Sequence, residues 1–172
     1  MRCRVSGNLK VLGNGLKAWR KAGYHSNDRM KTSSSTKSKP IPSSLIAPCG
    51  MNCRLCRAYI REKNACQGCR DDGQLKPKTR TYCRIKQCEV LKAADLRYCF
   101  ACGKYPCDRL NRLDTRYRTK YGMSMIDNLN DIKHVGIRNF IKQEMGRWTC
   151  PTCGNIICVH EERCIICNYK WR

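Results

Sequence analysis

Cysteine pairs separated by two residues carry the clearest chemistry in this sequence. The chain has 16 cysteines in 172 residues, and five pairs have the Cys-x-x-Cys spacing. These pairs are Cys53/Cys56, Cys66/Cys69, Cys99/Cys102, Cys150/Cys153 and Cys164/Cys167. Two intervening residues let a tight turn direct both sulfurs at one tetrahedral metal ion. Chance alone would give about 1.5 such pairs at this cysteine content, so the excess predicts metal sites.

The two C-terminal pairs have the most specific spacing, because only ten residues separate them. This spacing resembles a zinc ribbon, in which two turns clasp one ion. The predicted ligands are Cys150, Cys153, Cys164 and Cys167. Cys158 and His160 lie between the pairs. Since four thiolates complete a tetrahedral site, we expect Cys158 to be a buried small side chain and His160 to be packed or hydrogen-bonded.

The residue after a Cys-x-x-Cys pair is expected to tolerate positive φ, because that conformation frees backbone N–H groups to face the thiolates. Gly103, Gly154 and Asn168 occupy this position.

Ten cysteines between residues 49 and 107 predict two further sites. One is expected to use Cys53, Cys56, Cys66 and Cys69, and the other Cys83, Cys88, Cys99 and Cys102. Cys107 is a candidate to replace one ligand of the second site, and Cys49 is an additional candidate for either site. Spacing alone does not fix this partition. With the ribbon, the chain is expected to hold about three zinc ions.

Iron–sulfur and thiol redox chemistry are alternatives. Cys49, Cys53 and Cys56 have a CxxxCxxC spacing that resembles the cluster loop of radical S-adenosylmethionine enzymes. The partial barrel of such enzymes and a downstream glycine-rich stretch are absent from the sequence. A redox role would require a reactive thiol among the spare cysteines Cys49, Cys107 and Cys158.

Composition limits the class of protein. The formal net charge is +22, and the hydrophobic fraction of 41% includes every cysteine. Without cysteine, about a third of the chain is apolar, which is little for a core. A chain of this length is too short for a full-size barrel enzyme. Three zinc ions and twelve thiolates would reduce the charge to about +16.

The sequence lacks a bilayer-length apolar run and the apolar segment of an export signal. We therefore expect a soluble, cytoplasmic protein without a membrane partner, in a reducing compartment where clustered cysteines more often bind metal than form disulfides.

Residues 108–147 contain no cysteine and have helical periodicity. Pro106 is expected at the first helical position. The first helix has an apolar stripe formed by Leu110, Leu113, Tyr117 and Tyr121. A basic stripe lies beside it and comprises Arg109, Arg112, Arg116 and Lys120. Ser124 and Asp127 predict a capping box for a second helix, which Gly136 ends before a third.

These patterns predict a small α+β metal-stabilised protein with four segments. Residues 1–45 form a basic disordered tail and linker, 46–107 a cysteine-rich zinc-binding module, 108–147 a helical segment and 148–172 a zinc ribbon. We expect the helices to pack between the two metal modules.

The segment 46–168 resembles the cysteine-rich bacterial and archaeal family called domain of unknown function 3795. The resemblance begins at Ile46-Ala-Pro-Cys-Gly-Met-Asn-Cys. It extends over the other matching pieces at residues 54–60, 66–70, 83–88, 99–102, 105–107, 117–126, 147–154 and 157–160. The resemblance implies zinc binding and no established activity.

A second resemblance lies in the tail. Residues 15–24 resemble the closing helix of a rhodanese domain, and residues 3–7 faintly resemble its active-site loop. Because the α/β body is absent, we interpret the segment as a remnant, with Cys3 a free thiol.

The leading hypothesis is a zinc-binding protein with structural metals and a surface that binds an unknown protein or nucleic acid. Closed four-cysteine sites leave no position for substrate, and His25, His134 and His160 are scattered without a catalytic motif. The basic stripe is the candidate contact for nucleic acid.

Overall fold

Four helices are the principal elements of the computed structural model, which describes residues 40–71 and 83–172. They are α1 (Arg57–Ile60), α2 (Glu89–Ala93), α3 (Asp108–Tyr121) and α4 (Met125–Arg147). Short 3₁₀ turns occur at Ser43–Leu45, Cys53–Leu55 and Cys99–Ala101. The predictions for residues 1–39 of the tail, including the rhodanese resemblance, lie outside the described residues.

Extended structure in the described segments is confined to isolated antiparallel bridges. They pair Ile46 with Asn52, Thr149 with Ile156 and Arg163 with Lys170. Each bridge closes a short turn that contains or adjoins cysteines, so neighbouring residues do not continue it into a ladder. The predicted α+β class is therefore not confirmed. The described part of the protein is cysteine-rich, with short helices and little sheet.

Helix α3 follows its predicted apolar periodicity. Leu110 is buried, and Leu113, Tyr117 and Tyr121 are partly buried against the core. Gly122 ends the helix in the left-handed conformation, with φ of 61°. The expectation for Pro106 was wrong, because the helix begins at Asp108 and Cys107 is its N-cap.

Helix α4 contains the break predicted at Gly136, whose φ of 78° and ψ of 159° are not helical. The predicted second and third helices therefore correspond to its two halves. At the N-terminus, the Ser124 hydroxyl accepts a hydrogen bond from the Asp127 N–H at 2.9 Å. The Asp127 carboxylate accepts from Arg118 at 2.8 Å. The Ser124 cap is thus as predicted, while the Asp127 side chain contacts α3.

One buried cluster includes residues from all four segments of the predicted organisation, because Ile41 and Leu45 at the end of the predicted tail and linker belong to it. The ribbon segment also contacts the cysteine-rich module directly, because the Val159 N–H donates to the Leu55 carbonyl at 2.9 Å. The helices consequently do not separate the two modules, contrary to expectation. Within residues 40–71 and 83–172, no helix is both long and apolar enough to cross a bilayer.

Candidate metal centre

The four C-terminal cysteines lie together as predicted. Their Sγ atoms are all within 4.8 Å of one another. The Sγ atoms of Cys150 and Cys167 are 3.5 Å apart, and those of Cys153 and Cys164 are 3.6 Å apart. Four thiolates at a zinc–sulfur distance of about 2.3 Å form a tetrahedron with edges of about 3.8 Å. The cluster therefore fits a closed tetrahedral metal site.

The two halves of this cluster repeat the same backbone contacts 14 residues apart. The Gly154 N–H donates to the Cys150 carbonyl at 2.9 Å, and the Asn168 N–H donates to the Cys164 carbonyl at 2.9 Å. Gly154 and Asn168 have φ of 71° and 61°, as predicted. Each turn thus presents its second cysteine in the same way.

Gly103 does not have the positive φ predicted for it. The preceding turn nevertheless directs a backbone donor at sulfur, because the Lys104 N–H donates to Cys102 Sγ at 3.5 Å.

Two of the C-terminal thiols, Cys153 and Cys167, differ in how readily they ionise. Burial opposes ionisation of Cys153, but hydrogen bonds from Asn155 prevail and lower the pKa of its thiol to about 6. The Asn155 side-chain amide lies 3.5 Å from that sulfur. Cys167 accepts a backbone hydrogen bond from Tyr169, but burial and the three neighbouring thiols raise its pKa to about 12. One thiolate forms readily, and a second thiolate beside it would be repelled by its charge. A bound cation would relieve this repulsion.

The two other candidates in the ribbon segment are not part of the cluster. Cys158 is 1% exposed, as expected for a small buried side chain. His160 is hydrogen-bonded on both ring nitrogens. Its Nδ1 lies 3.3 Å from the Arg57 N–H, and its Nε2 lies 3.1 Å from the Tyr117 hydroxyl.

In the central module, Cys49, Cys53 and Cys69 are close neighbours. The Cys69 N–H donates to Cys53 Sγ at 3.3 Å. A hydrogen bond from the Cys69 thiol and burial raise the pKa of the Cys53 thiol. Burial and the Cys69 thiol similarly raise the pKa of Cys49. The thiols of Cys99 and Cys83 add to this rise. Cys49 therefore lies between the two sets of cysteines predicted for this module.

Cys99 is near the other thiols of the second set. Burial raises the pKa of its thiol to about 12, with contributions from the neighbouring thiols Cys107, Cys88, Cys102 and Cys83. All four predicted ligands of this set, and the candidate Cys107, thus interact electrostatically around Cys99. Cys99 therefore ionises with difficulty unless a cation compensates its charge.

The partition between the two central sites stays a prediction. Among the described residues, the C-terminal group alone has three or more metal-ligating atoms within mutual reach. Cys56 lies near Cys158, whose thiol has a pKa raised chiefly by burial. Cys66 is buried at 9% exposure, and its N–H donates to the Ala58 carbonyl at 2.7 Å.

The predicted basic stripe is exposed along α3. Its four side chains are those of Arg109, Arg112, Arg116 and Lys120. Arg109 donates to the Arg84 carbonyl at 2.7 Å. Arg116 lines a cavity together with residues of α1 and the ribbon segment. Sequence reasoning missed Arg57 and Arg61 of this cavity, which are the first residue and the C-cap of α1.

The fold and cysteine geometry define a cysteine-rich helical protein with a four-cysteine cluster able to hold a metal ion. Residues 45–112 match the model of a family described as protein of unknown function (DUF3795). The resemblance predicted from the sequence is therefore confirmed for the cysteine-rich module and the start of α3. The comparisons with curated proteins and with solved structures gave no match.

Proposed function

We propose that this is a zinc-binding protein whose metal ions are structural and whose surface is an interaction module. The observation that carries the proposal is the C-terminal cluster, in which four Sγ atoms lie within 4.8 Å of one another. Four thiolates favour zinc and leave no coordination position for water or substrate. Such a site stabilises a fold and does not activate a substrate.

We extend the proposal to the central module, which would bring the total to about three zinc ions. Mutual proximity of Cys99 and the neighbouring thiols supports this extension. The proposal places the protein in the cytoplasm, where the reducing environment keeps thiols available for metal. All 15 cysteines of the described segments are free of disulfides.

Metal analysis tests the proposal. The full chain would be purified without added metal, and its metal content measured by mass spectrometry together with its visible spectrum. We expect colourless protein with about three zinc ions per chain. Brown protein containing iron and sulfide would instead support the iron–sulfur alternative.

Two cysteine substitutions locate the C-terminal ion. Cys153→Ser removes one thiolate of the cluster, so we expect the loss of about one zinc per chain. Cys158→Ala is the matched control, because Cys158 lies in the same segment but outside the cluster. Equal zinc content in wild type and Cys153→Ser would contradict the assignment.

Nucleic acid is the second candidate, as the partner of the interaction surface. Exposure of all four side chains of the basic stripe favours it. Arginine and lysine at helical spacing can contact successive phosphates. Binding to RNA or DNA should therefore weaken steeply with added salt, and binding insensitive to salt would exclude the stripe as the contact.

A further inference from the structure

A cavity of about 360 Å³ lies between α1, α3 and the segment that joins the two turns of the ribbon. Its charged and aromatic lining comprises Arg57, Arg61, Arg116, Tyr117, Tyr121 and His160. Pockets for small ligands typically have volumes of about 300–1,000 Å³. The cavity is therefore large enough for one nucleotide-sized ligand, and it is separate from the cysteine cluster.

The arginines give the cavity a net positive charge. Arg57 pairs with Glu161 at 2.6 Å, just outside the lining. Arg61 donates from Nε and one terminal nitrogen to the Asn64 carbonyl at 2.9 and 2.7 Å, which orients its guanidinium. In the described part of the chain, the guanidinium of Arg116 has neither a hydrogen bond nor an ion pair. Arg116 is thus the lining residue whose donors remain for an anion.

Three rings form the aromatic side of the cavity. The Tyr117 and Tyr121 rings pack edge to face, with centroids 5.1 Å apart. The Tyr121 and His160 centroids are 4.7 Å apart, again edge to face. Since His160 Nδ1 accepts from the Arg57 N–H, its Nε2 carries the proton and donates to the Tyr117 oxygen. These contacts fix the ring orientations before any ligand binds.

We propose that this cavity binds a nucleoside phosphate unit, with its base against the aromatic rings and its phosphate on Arg116 and Arg61. A planar base can stack on tyrosine and histidine rings, and guanidinium groups bind phosphate oxygens through paired donors. An anion without a ring would use only the arginines, and an uncharged aromatic only the rings. The nucleoside phosphate uses both halves of the lining.

The nucleoside phosphate unit could come from a free nucleotide or from one residue of a single-stranded nucleic acid. This inference deepens the proposed function and rests on it, because the metal-held ribbon carries His160 into the cavity. Arg116 also belongs to the basic stripe, so a strand with one base in the cavity could continue past Arg112 and Arg109.

Two binding measurements on the zinc-loaded full chain test the proposal. Titration calorimetry would follow AMP, with inorganic phosphate as the comparison. Fluorescence anisotropy would follow a labelled ten-nucleotide single-stranded RNA, with AMP and a duplex of the same sequence as competitors. Saturable AMP binding supports a free nucleotide, while binding of the single strand alone supports a strand. Both results support the shared chemistry.

Arg116→Gln is the informative arginine variant, and Arg112→Gln is its control. Both remove one exposed positive charge from α3, one turn apart, but only Arg116 lines the cavity. Arg116→Gln should weaken AMP binding by about tenfold, or strand binding where AMP does not bind. Arg112→Gln should leave AMP affinity within about threefold, because salt screens its longer-range effect.

Substitutions of Tyr121 distinguish the contribution of base stacking from that of the arginine charges. Tyr121→Leu should weaken binding by about tenfold, whereas Tyr121→Phe keeps the ring and should retain affinity. Circular dichroism and zinc content of each variant would show that it is folded and metal-loaded.

Several results would overturn the proposal. They are absence of binding to both AMP and the single strand, equal affinity for inorganic phosphate and AMP, equal weakening of AMP binding by Arg112→Gln and Arg116→Gln, and tighter binding of a phosphotyrosine peptide. Zinc content distinguishes failure of this inference from failure of the proposed function. Zinc-loaded protein that binds neither AMP nor the single strand would refute only the proposal for the cavity. Zinc-free protein that still binds nucleotide would refute only the metal proposal.

Discussion

Asp114 shows how one buried side chain fixes the corner between α3 and α4. Its carboxylate accepts from the Ser124 hydroxyl at 2.8 Å, the Ile126 N–H at 2.9 Å and Arg118 Nε at 2.6 Å. Burial opposes ionisation, but these three donors hold the pKa of Asp114 below its usual value. The ionised form therefore stabilises the folded protein.

Replacing Asp114 by Asn should lower the free energy of unfolding at pH 7 by about 1–3 kcal/mol, because buried donors lose a charged acceptor. Because the folded-state pKa is depressed, the ionised carboxylate stabilises the folded protein at pH values above the unfolded aspartate pKa of about 3.9. This stabilisation disappears as the pH falls through the folded-state pKa. The difference in free energy of unfolding between wild type and Asp114→Asn should thus become smaller below about pH 4. Urea unfolding at matched metal content would measure this difference.

Asp127→Asn provides the control for that comparison. Asp127 also pairs with Arg118, at 2.8 Å, but its side chain is 57% exposed. Exposed ion pairs contribute about 0–1 kcal/mol, so this variant should be close to wild type. If the two variants were equally destabilised, the buried hydrogen bonds of Asp114 would not be the cause.

At the scale of elements, Gly50 joins the cysteine-rich module to α4. It has φ of 84°, and a Cβ placed on it would lie 2.7 Å from the Met125 carbonyl oxygen. The Gly50 carbonyl in turn accepts from the Asn128 side-chain amide at 3.0 Å. The turn and the first turn of the helix are therefore in direct backbone contact.

Gly50→Ala should destabilise the protein more than Gly122→Ala. Both glycines have positive φ, but a Cβ on Gly122 would meet no atom within 4 Å. Gly122→Ala should cost about 1 kcal/mol from backbone strain alone, and Gly50→Ala about 2 kcal/mol or more, because a backbone contact must also move. Thermal unfolding of both variants would measure the difference. Equal midpoints would show that the contact relaxes freely.

Local periodicity predicted α3 and α4, whereas it did not predict the short helices α1 and α2 or the contacts between elements. The apolar stripe of α3 and the break at Gly136 follow from residue types along one segment. Direct contact between Val159 and Leu55, by contrast, joins residues about a hundred positions apart. The cavity was missed for the same reason, since its lining comes from three separate segments.

The cysteine clusters likewise differ in whether local spacing predicts them. The four ribbon cysteines form two adjacent turns, so their spacing sufficed to predict that they lie together. In the central module, Cys49 neighbours cysteines 20, 34 and 50 positions along the chain. Those relations depend on how the intervening segments pack, so spacing left the position of Cys49 open.

At the scale of the whole described structure, the cysteine-rich module and the C-terminal segment contribute to one buried cluster. Trp148 is 3% exposed and packs edge to face on Trp171, with centroids 5.4 Å apart. These tryptophans flank the C-terminal cysteine cluster, and Trp148 belongs to the same buried cluster as α3 and α4. If the cluster binds metal as proposed, loss of that ion should therefore be transmitted to the helices.

Chelation of the metal should unfold the protein cooperatively. Four clustered thiols without a cation repel one another as they ionise, and structural zinc sites contribute directly to folding free energy. We expect a strong chelator to shift tryptophan emission to longer wavelength and to reduce the helical circular dichroism signal over the same range of chelator concentration. Zinc, but not magnesium, should restore both signals, because thiolates are poor ligands for magnesium. Full secondary structure after complete metal removal would show that the apolar core suffices and that the metal ions are not structural.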